Sequence, residues 1–246
     1  MARASLFLAL LLAAVLSGGC AYRPYATDLR PLAETEQAQG SSVEDDGTVT
    51  FYQGRLEVSL RPVSDEELNR QFASYSAAGA HSTNPYTYGN SKVGWFGATP
   101  RRFTVFMLSI KNYQFPKVQL GGDIVLTAQN GRKYYALTKE QLDVYYRAYA
   151  IAYAGIEYNE YQNRRDLLSR TTYPRTEPVF SGQEAQGYIL FEPLADDVHD
   201  ITVRIEDLIT RFDYSGNPVE SVSASYRFRR DIGRILPDGR VQLTSN

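Results

Sequence analysis

The sequence predicts a mainly β protein, a two-sheet antiparallel sandwich interrupted by a helical insertion. Three observations predict it. Residues 56–61 and 222–229 alternate apolar with polar side chains at the period of two that a half-buried strand requires. Residues 103–110 (Phe-Thr-Val-Phe-Met-Leu-Ser-Ile) and 187–191 (Gly-Tyr-Ile-Leu-Phe) are apolar on both faces, as strands covered on both sides must be. Between 139 and 170 the period changes to that of a helix.

Composition narrows the rest. Among 246 residues, 26 Lys and Arg stand against 28 Asp and Glu, for a net charge of −2. The cations are scattered rather than striped, so no nucleic acid partner is expected. A single cysteine leaves no disulfide to hold the fold, which must rely on packing. The nineteen tyrosines, against two methionines and two histidines, suit half-buried sheet faces and recognition surfaces, because each ring joins apolar area to a polar tip.

In chain order, Arg3 and the apolar and small-residue run from Leu6 to Leu16 read as an export signal over residues 1–19, too short to cross a bilayer comfortably. Residues 20–47, with Pro24, Pro31, Gly40, Ser41, Ser42, Glu44, Asp45 and Asp46 and no apolar period, read as a flexible tether. The folded domain is expected over 48–230, with structure beginning at Val49. Leu56, Val58 and Leu60 alternate with Glu57, Ser59 and Arg61, and Pro62 should end that strand. Ser64-Asp65-Glu66-Glu67 has the spacing of a capping box, so a short helix through about Phe72 follows. Residues 74–100 are small, polar and aromatic without a period, a length of connection usually reserved for function; they hold Tyr86, Tyr88, Phe96 and the only tryptophan, Trp95.

After the two-sided strand at 103–110, Ile124-Val125-Leu126 and Tyr134-Tyr135-Ala136-Leu137 flank Asn130-Gly131, which predicts a hairpin with positive φ at both central residues. Thr138-Lys139-Glu140-Gln141 is a second capping box. The helical pattern beyond it carries Leu142, Tyr145, Tyr146, Tyr149, Tyr153 and Ile156 on one side and weakens at Gly155, with a second piece to about Leu168 before Pro174. After the strand at 187–191, Ile201, Val203 and Ile205 share one parity while Leu208, Phe212 and Tyr214 share the other, so a β-bulge is expected at Glu206-Asp207. Ser215-Gly216-Asn217-Pro218 is a turn. The strand at 222–228 reads as a half-buried edge, and residues 231–246 as a loosely held polar tail.

Two resemblances follow. Leu16-Ser17-Gly18-Gly19-Cys20 resembles the lipobox of bacterial lipoproteins, departing from the commonest form at Ser17, where an aliphatic residue is usual. The resemblance implies cleavage before Cys20, palmitate or a similar acyl group on its sulfur, and a membrane anchor. Ala21 in place of the aspartate that marks inner-membrane retention implies an outer-membrane lipoprotein facing the periplasm or the cell surface. Residues 101–230 resemble the telokin-like, immunoglobulin-fold domains of uncharacterised secreted lipoproteins. Phe103 to Asn112, the hairpin before Tyr134, and Ser181-Gly182-Gln183-Glu184-Ala185-Gln186-Gly187-Tyr188-Ile189-Leu190-Phe191 carry it. The tyrosine-rich insertion and residues 48–100 depart from that pattern. What the resemblance implies is protein binding or envelope assembly.

The chain shows no Gly-x-Ser-x-Gly elbow, no histidine pair at metal spacing and no phosphate-cradling glycine loop. Asp196, Asp197, His199 and Asp200 read as a solvated turn, and pairs such as Glu157 with Glu160 or Glu192 with Asp196 occur in any domain of this size. No catalysis, cofactor or metal is expected. The candidate partner-binding residues are Tyr86, Tyr88, Trp95 and Phe96 on the loop and Tyr145, Tyr149 and Tyr153 on the helix. An envelope protein is the expected partner; a glycan, peptidoglycan or polysaccharide, stacked on the loop rings is the alternative.

Overall fold

The two-sided apolar runs at 103–110 and 187–191 pair side by side in the structure, and their residues alternate between two separate cores. The computed structural model describes residues 23–75, 84–86, 102–144 and 158–244. Its early strands are β1 Arg23–Ala26, β2 Arg30–Pro31, β3 Ser41–Val43, β4 Val49–Gln53, β5 Leu56–Val63 and β6 Thr104–Asn112. Then come β7 Lys117–Leu120, β8 Ile124–Ala128, β9 Lys133–Tyr135, β10 Val179–Phe180 and β11 Gln183–Phe191. The last four are β12 Asp200–Phe212, β13 Pro218–Arg229, β14 Ile232–Ile235 and β15 Val241–Leu243. The helices are α1 Asp65–Gln71 and α2 Tyr158–Thr171, and residues 139–144 are helical as well.

The chain divides into two units. The larger, residues 29–229, holds two antiparallel sheets, β11-β6-β5-β4-β3 and a second sheet centred on β12. In the second, β13 and then β2 lie on one side of β12, while β8 and β7 share its other side and extend to β9 and β10. The smaller unit, residues 1–28 with 230–246, contains the sheet β1-β14-β15. The expected tether is therefore structured from Arg23 onward, and the expected loose tail contributes two strands. Pairing with a distant segment supplies the hydrogen bonds that a lone two- to four-residue strand lacks.

The main core lies between the sheets of the larger unit, with Val58, Leu60, Phe106 and Leu108 from one and Ile124, Val203, Tyr226 and Phe228 from the other. Phe106 meets Phe191 edge-on at 5.9 Å and Phe228 at 5.2 Å between ring centroids. Tyr226 is fully buried, and its hydroxyl donates to the Val58 carbonyl oxygen across the core at 2.8 Å, which satisfies the one polar atom it carries inside. Asn112, where β6 ends, is also fully buried. Its Nδ2 donates to the Phe115 and Val179 carbonyls at 2.8 and 2.9 Å, and its Oδ1 accepts from the amides of Phe115 and Gln114 at 2.9 and 3.2 Å. One side chain thus shapes the turn out of β6 and fastens β10.

The expected bulge is present. Pairing of β12 with β13 slips between Ile205 and Leu208, and Asp207 sits at φ 48°. The extra residue returns Leu208 to the core side and redirects β12 from β8 to β7. The hairpin β8–β9 forms as expected but with a different turn: Gly131 has φ 80° and Asn130 does not have positive φ. The loop is one residue longer than a two-residue turn, with the Gly131 amide on the Ala128 carbonyl at 2.9 Å and the Ala128 amide on the Arg132 carbonyl at 2.9 Å. Pro62 does not end β5; it pairs opposite Phe106 beyond the point where β4 stops at Val49 opposite Leu60, so its missing N–H interrupts no β4 ladder.

Candidate functional site

The second face of the sheet β11-β6-β5 builds a separate apolar cluster, which takes in Tyr86 from the long loop and Leu142 and Leu168 from the helical insertion. Residues of opposite parity to the main core supply its floor: Val63 of β5, Val105 of β6, and Tyr188 and Leu190 of β11. Leu68 of α1, the C-cap residue Phe72, Tyr86, Phe103, Leu142 and Leu168 cover that floor. Phe72, Tyr86 and Tyr188 form a ring triangle with centroid separations of 5.6, 6.4 and 5.2 Å, tilted and edge-on as aromatic quadrupoles prefer.

Local sequence explains how α1 and the helical insertion start. The Ser64 hydroxyl accepts from the Glu67 amide at 3.1 Å, as the cap requires. Glu67 does not reach back. Its carboxylate takes two hydrogen bonds from Arg61 at 2.7 and 2.8 Å, because Arg61 projects from the same face of β5 that α1 covers. That bidentate pair holds the Glu67 carboxyl below its ordinary value. At the second cap both halves form: the Gln141 amide donates to Thr138 Oγ1 at 3.2 Å and the Thr138 amide to Gln141 Oε1 at 2.8 Å.

Asn84 is the polar centre. It is fully buried, with Nδ2 donating to Asp65 Oδ1 at 2.6 Å and to Asn69 Oδ1 at 3.0 Å, and Oδ1 accepting from the Tyr86 amide at 2.8 Å. Arg102 donates to the same Asp65 oxygen at 2.7 Å, so one carboxylate ties α1 to Asn84 within the segment at 74–100 and to Arg102 just beyond it. Burial nevertheless pushes the Asp65 carboxyl up, against the pull of Arg102 and the amide donors. The Tyr86 hydroxyl meets Thr171 Oγ1 of α2 at 2.5 Å, and the Tyr188 hydroxyl donates to Gln71 of α1. Burial raises both phenols, so neither carries charge near neutral pH.

The helical insertion joins the same layer at both ends. The Leu137 amide donates to the Leu190 carbonyl at 2.8 Å, and the Tyr173 amide to the Tyr188 carbonyl at 2.9 Å, along the outer edge of β11. Lys139 Nζ donates to the Ser169 carbonyl at 3.0 Å and clasps residues 139–144 against α2. Between them runs a groove of about 480 Å³ lined by Lys139, Leu142, Val144, Arg165, Asp166 and Leu168.

Of the residues singled out from the sequence, Tyr86 is a correction: it is 1% exposed and packs as a core ring, since its hydroxyl has a partner inside and its ring has two aromatic neighbours. Tyr88, Trp95, Phe96, Tyr145, Tyr149 and Tyr153, like Cys20, lie outside the described residues. The Asp196 to Asp200 cluster is divided between partners. Asp197 takes Asn130 at 3.0 Å and Arg132 at 3.3 Å, while Asp200 takes Arg229 at 2.6 Å. Among the described residues no group of three or more His, Cys, Asp or Glu is placed to hold a metal ion. Asn84, Arg102 and Thr171, which organise the site, carry no sequence signal beyond belonging to polar stretches. No family model, curated protein or solved structure matches the chain.

Proposed function

We propose that the chain is an envelope lipoprotein, acylated on Cys20 and held at the outer membrane, whose larger unit is an immunoglobulin-like sandwich serving as a non-catalytic docking or assembly module for a protein partner. The lipobox-like Leu16-Ser17-Gly18-Gly19-Cys20 supports the anchor. Two antiparallel sheets sharing one core, with the chain passing between them at 112–117 and 191–200, support the sandwich.

The observation that carries the docking role is the convergence of the long loop at 74–100 and the helical insertion at 139–170, both rich in aromatic residues, on one apolar cluster outside the main core. A core-only purpose does not require a second layer fastened at four points by Asp65, Asn84, Tyr86 and the edge of β11. A scaffold that presents two segments on a rigid base does. The test is photo-crosslinking from position 95 of the full-length, membrane-anchored protein, with Trp95 replaced by a photoreactive residue. Discrete adducts with one envelope protein are expected. Polydisperse, lysozyme-sensitive adducts would replace a protein partner with a glycan, and purely intramolecular links would end the docking role of this loop.

A further inference from the structure

We propose that the small sheet β1-β14-β15 is a membrane-contacting element whose apolar face lies on the bilayer surface beside the Cys20 anchor, against anionic phospholipid headgroups. This rests on the reading of Cys20 as an acylated N-terminus.

The face is defined by register. Arg23 stands opposite Ile235 and Ile235 opposite Val241; Tyr25 stands opposite Gly233 and Gly233 opposite Leu243. Residues directly opposite share a face of a sheet, so Arg23, Tyr25, Ile235, Val241 and Leu243 lie together. Val241 is 46% and Leu243 55% exposed, Tyr25 and Ile235 are half-buried, and Arg23 is exposed. On the other face Arg234 and Gln242 are exposed and polar, and Ile232 is buried. The sheet therefore has two unlike faces, and the aliphatic and aromatic one leaves Val241 and Leu243 exposed to solvent beside Arg23.

Distance from the anchor selects the occupant. Three peptide steps separate Cys20 from Arg23, a span of at most ~11 Å even fully extended. An acylated Cys20 sits at the boundary of acyl chains and headgroups, so β1 begins within a headgroup thickness of the lipid and has no tether on which to stand away. What it presents there suits that layer: Tyr25 has an apolar ring with a polar tip, Val241 and Leu243 are aliphatic, and Arg23 has no carboxylate partner among the described residues and is attracted to phosphate. The sheet supplies a second contact that fixes how this smaller unit lies on the surface, which acyl chains alone leave free to rotate.

The experiment uses full-length protein purified from membranes, with Leu243→Cys or Gln242→Cys carrying a fluorophore; both positions are exposed, so neither label displaces packing. Each is reconstituted into vesicles of phosphatidylethanolamine and phosphatidylglycerol that contain lipids brominated near the headgroup end of the acyl chain, and intact mass reports acylation of Cys20. With Cys20 acylated, quenching at position 243 about threefold or more above that at 242 is expected, since an interfacial face inserts roughly 5–10 Å. Acylated protein with equal or no quenching at the two positions overturns the contact while leaving the anchor intact. Unmodified Cys20 overturns the anchor and this inference with it. Quenching at 243 that is unchanged when phosphatidylcholine replaces phosphatidylglycerol overturns the role given to Arg23.

Discussion

Single side chains hold this fold at the points where the chain changes direction, and Asn112 is the clearest of them. Four hydrogen bonds converge on a fully buried amide, so Asn112→Ala takes a partner from two carbonyls and two amides. A loss of about 2–4 kcal/mol in urea unfolding is expected, the range for opening a buried polar network; a loss within experimental error of zero would show that water replaces the amide. Glu67 acts through charge. Its folded carboxyl lies below the ordinary value of 4.5 because Arg61 binds the ionised form, so its contribution is present above that value and is lost as pH falls through the lower, folded value. Glu67→Gln should therefore cost ~1 kcal/mol near pH 7, as expected for a half-exposed bidentate pair, and its deficit relative to the parent should shrink near pH 3. Asp65 has the opposite sign: burial raises its folded value, so the charged form opposes folding and stability falls as pH rises through that window. Unfolding midpoints of Glu67→Gln and of Asp65→Asn against the parent across pH check the two slopes.

Among the elements, β11 does more than close an edge. Its inner parity, Ile189 and Phe191, completes the main core; its outer parity, Tyr188 and Leu190, floors the second. Its free edge receives both ends of the helical insertion. Gly187 makes that reception possible, because a Cβ there would meet Tyr173 N at 2.5 Å and Tyr173 Cα at 2.6 Å. Backbone cannot yield as a side chain tip can, so Gly187→Ala should destabilise by about 1–3 kcal/mol and speed hydrogen exchange first at residues 172–173. Uniform loss of protection across both sheets would contradict that local origin. The hairpin is less demanding: Asn130→Ala removes hydrogen bonds to the Arg132 amide and to Asp197 at an exposed turn, and about 0.5–1 kcal/mol is expected with the register intact. Strand parity made β11, β6 and the bulge at Glu206-Asp207 legible in the sequence, since a phase slip between Ile205 and Leu208 needs only the apolar residues to be seen. The two caps were legible for the same local reason, although Glu67 turns to Arg61 and not to Ser64, a choice made by the neighbouring strand. Asn84 and Tyr86 were not legible in that way. A buried amide and a core tyrosine in a run of Asn-Pro-Tyr-Thr-Tyr look like their neighbours until α1 and α2 supply Asp65 and Thr171.

At the scale of the whole molecule, what escaped the sequence is what depends on long separations. Arg23 pairs with Ile235 and Arg30 with Arg229, so segments far apart in sequence are joined through β1, β2 and β14, strands of two to four residues that have no room for a period. The polar composition of 20–47 and 231–246 is what such strands show when most of their pairing partners lie elsewhere. Contact density nevertheless divides the molecule at 28/29 and 229/230, and both apolar clusters fall inside 29–229. A polypeptide of residues 29–229 should therefore fold by itself, with the near-ultraviolet signal of its buried tyrosines retained and one cooperative unfolding transition. Its midpoint should fall only slightly below that of the full chain, because the truncation leaves β2 and its pairing with β13 in place. If the polypeptide instead collapses without fixed aromatic packing, the small sheet is part of the folding unit, and the division at 28/29 and 229/230 does not mark an independent domain.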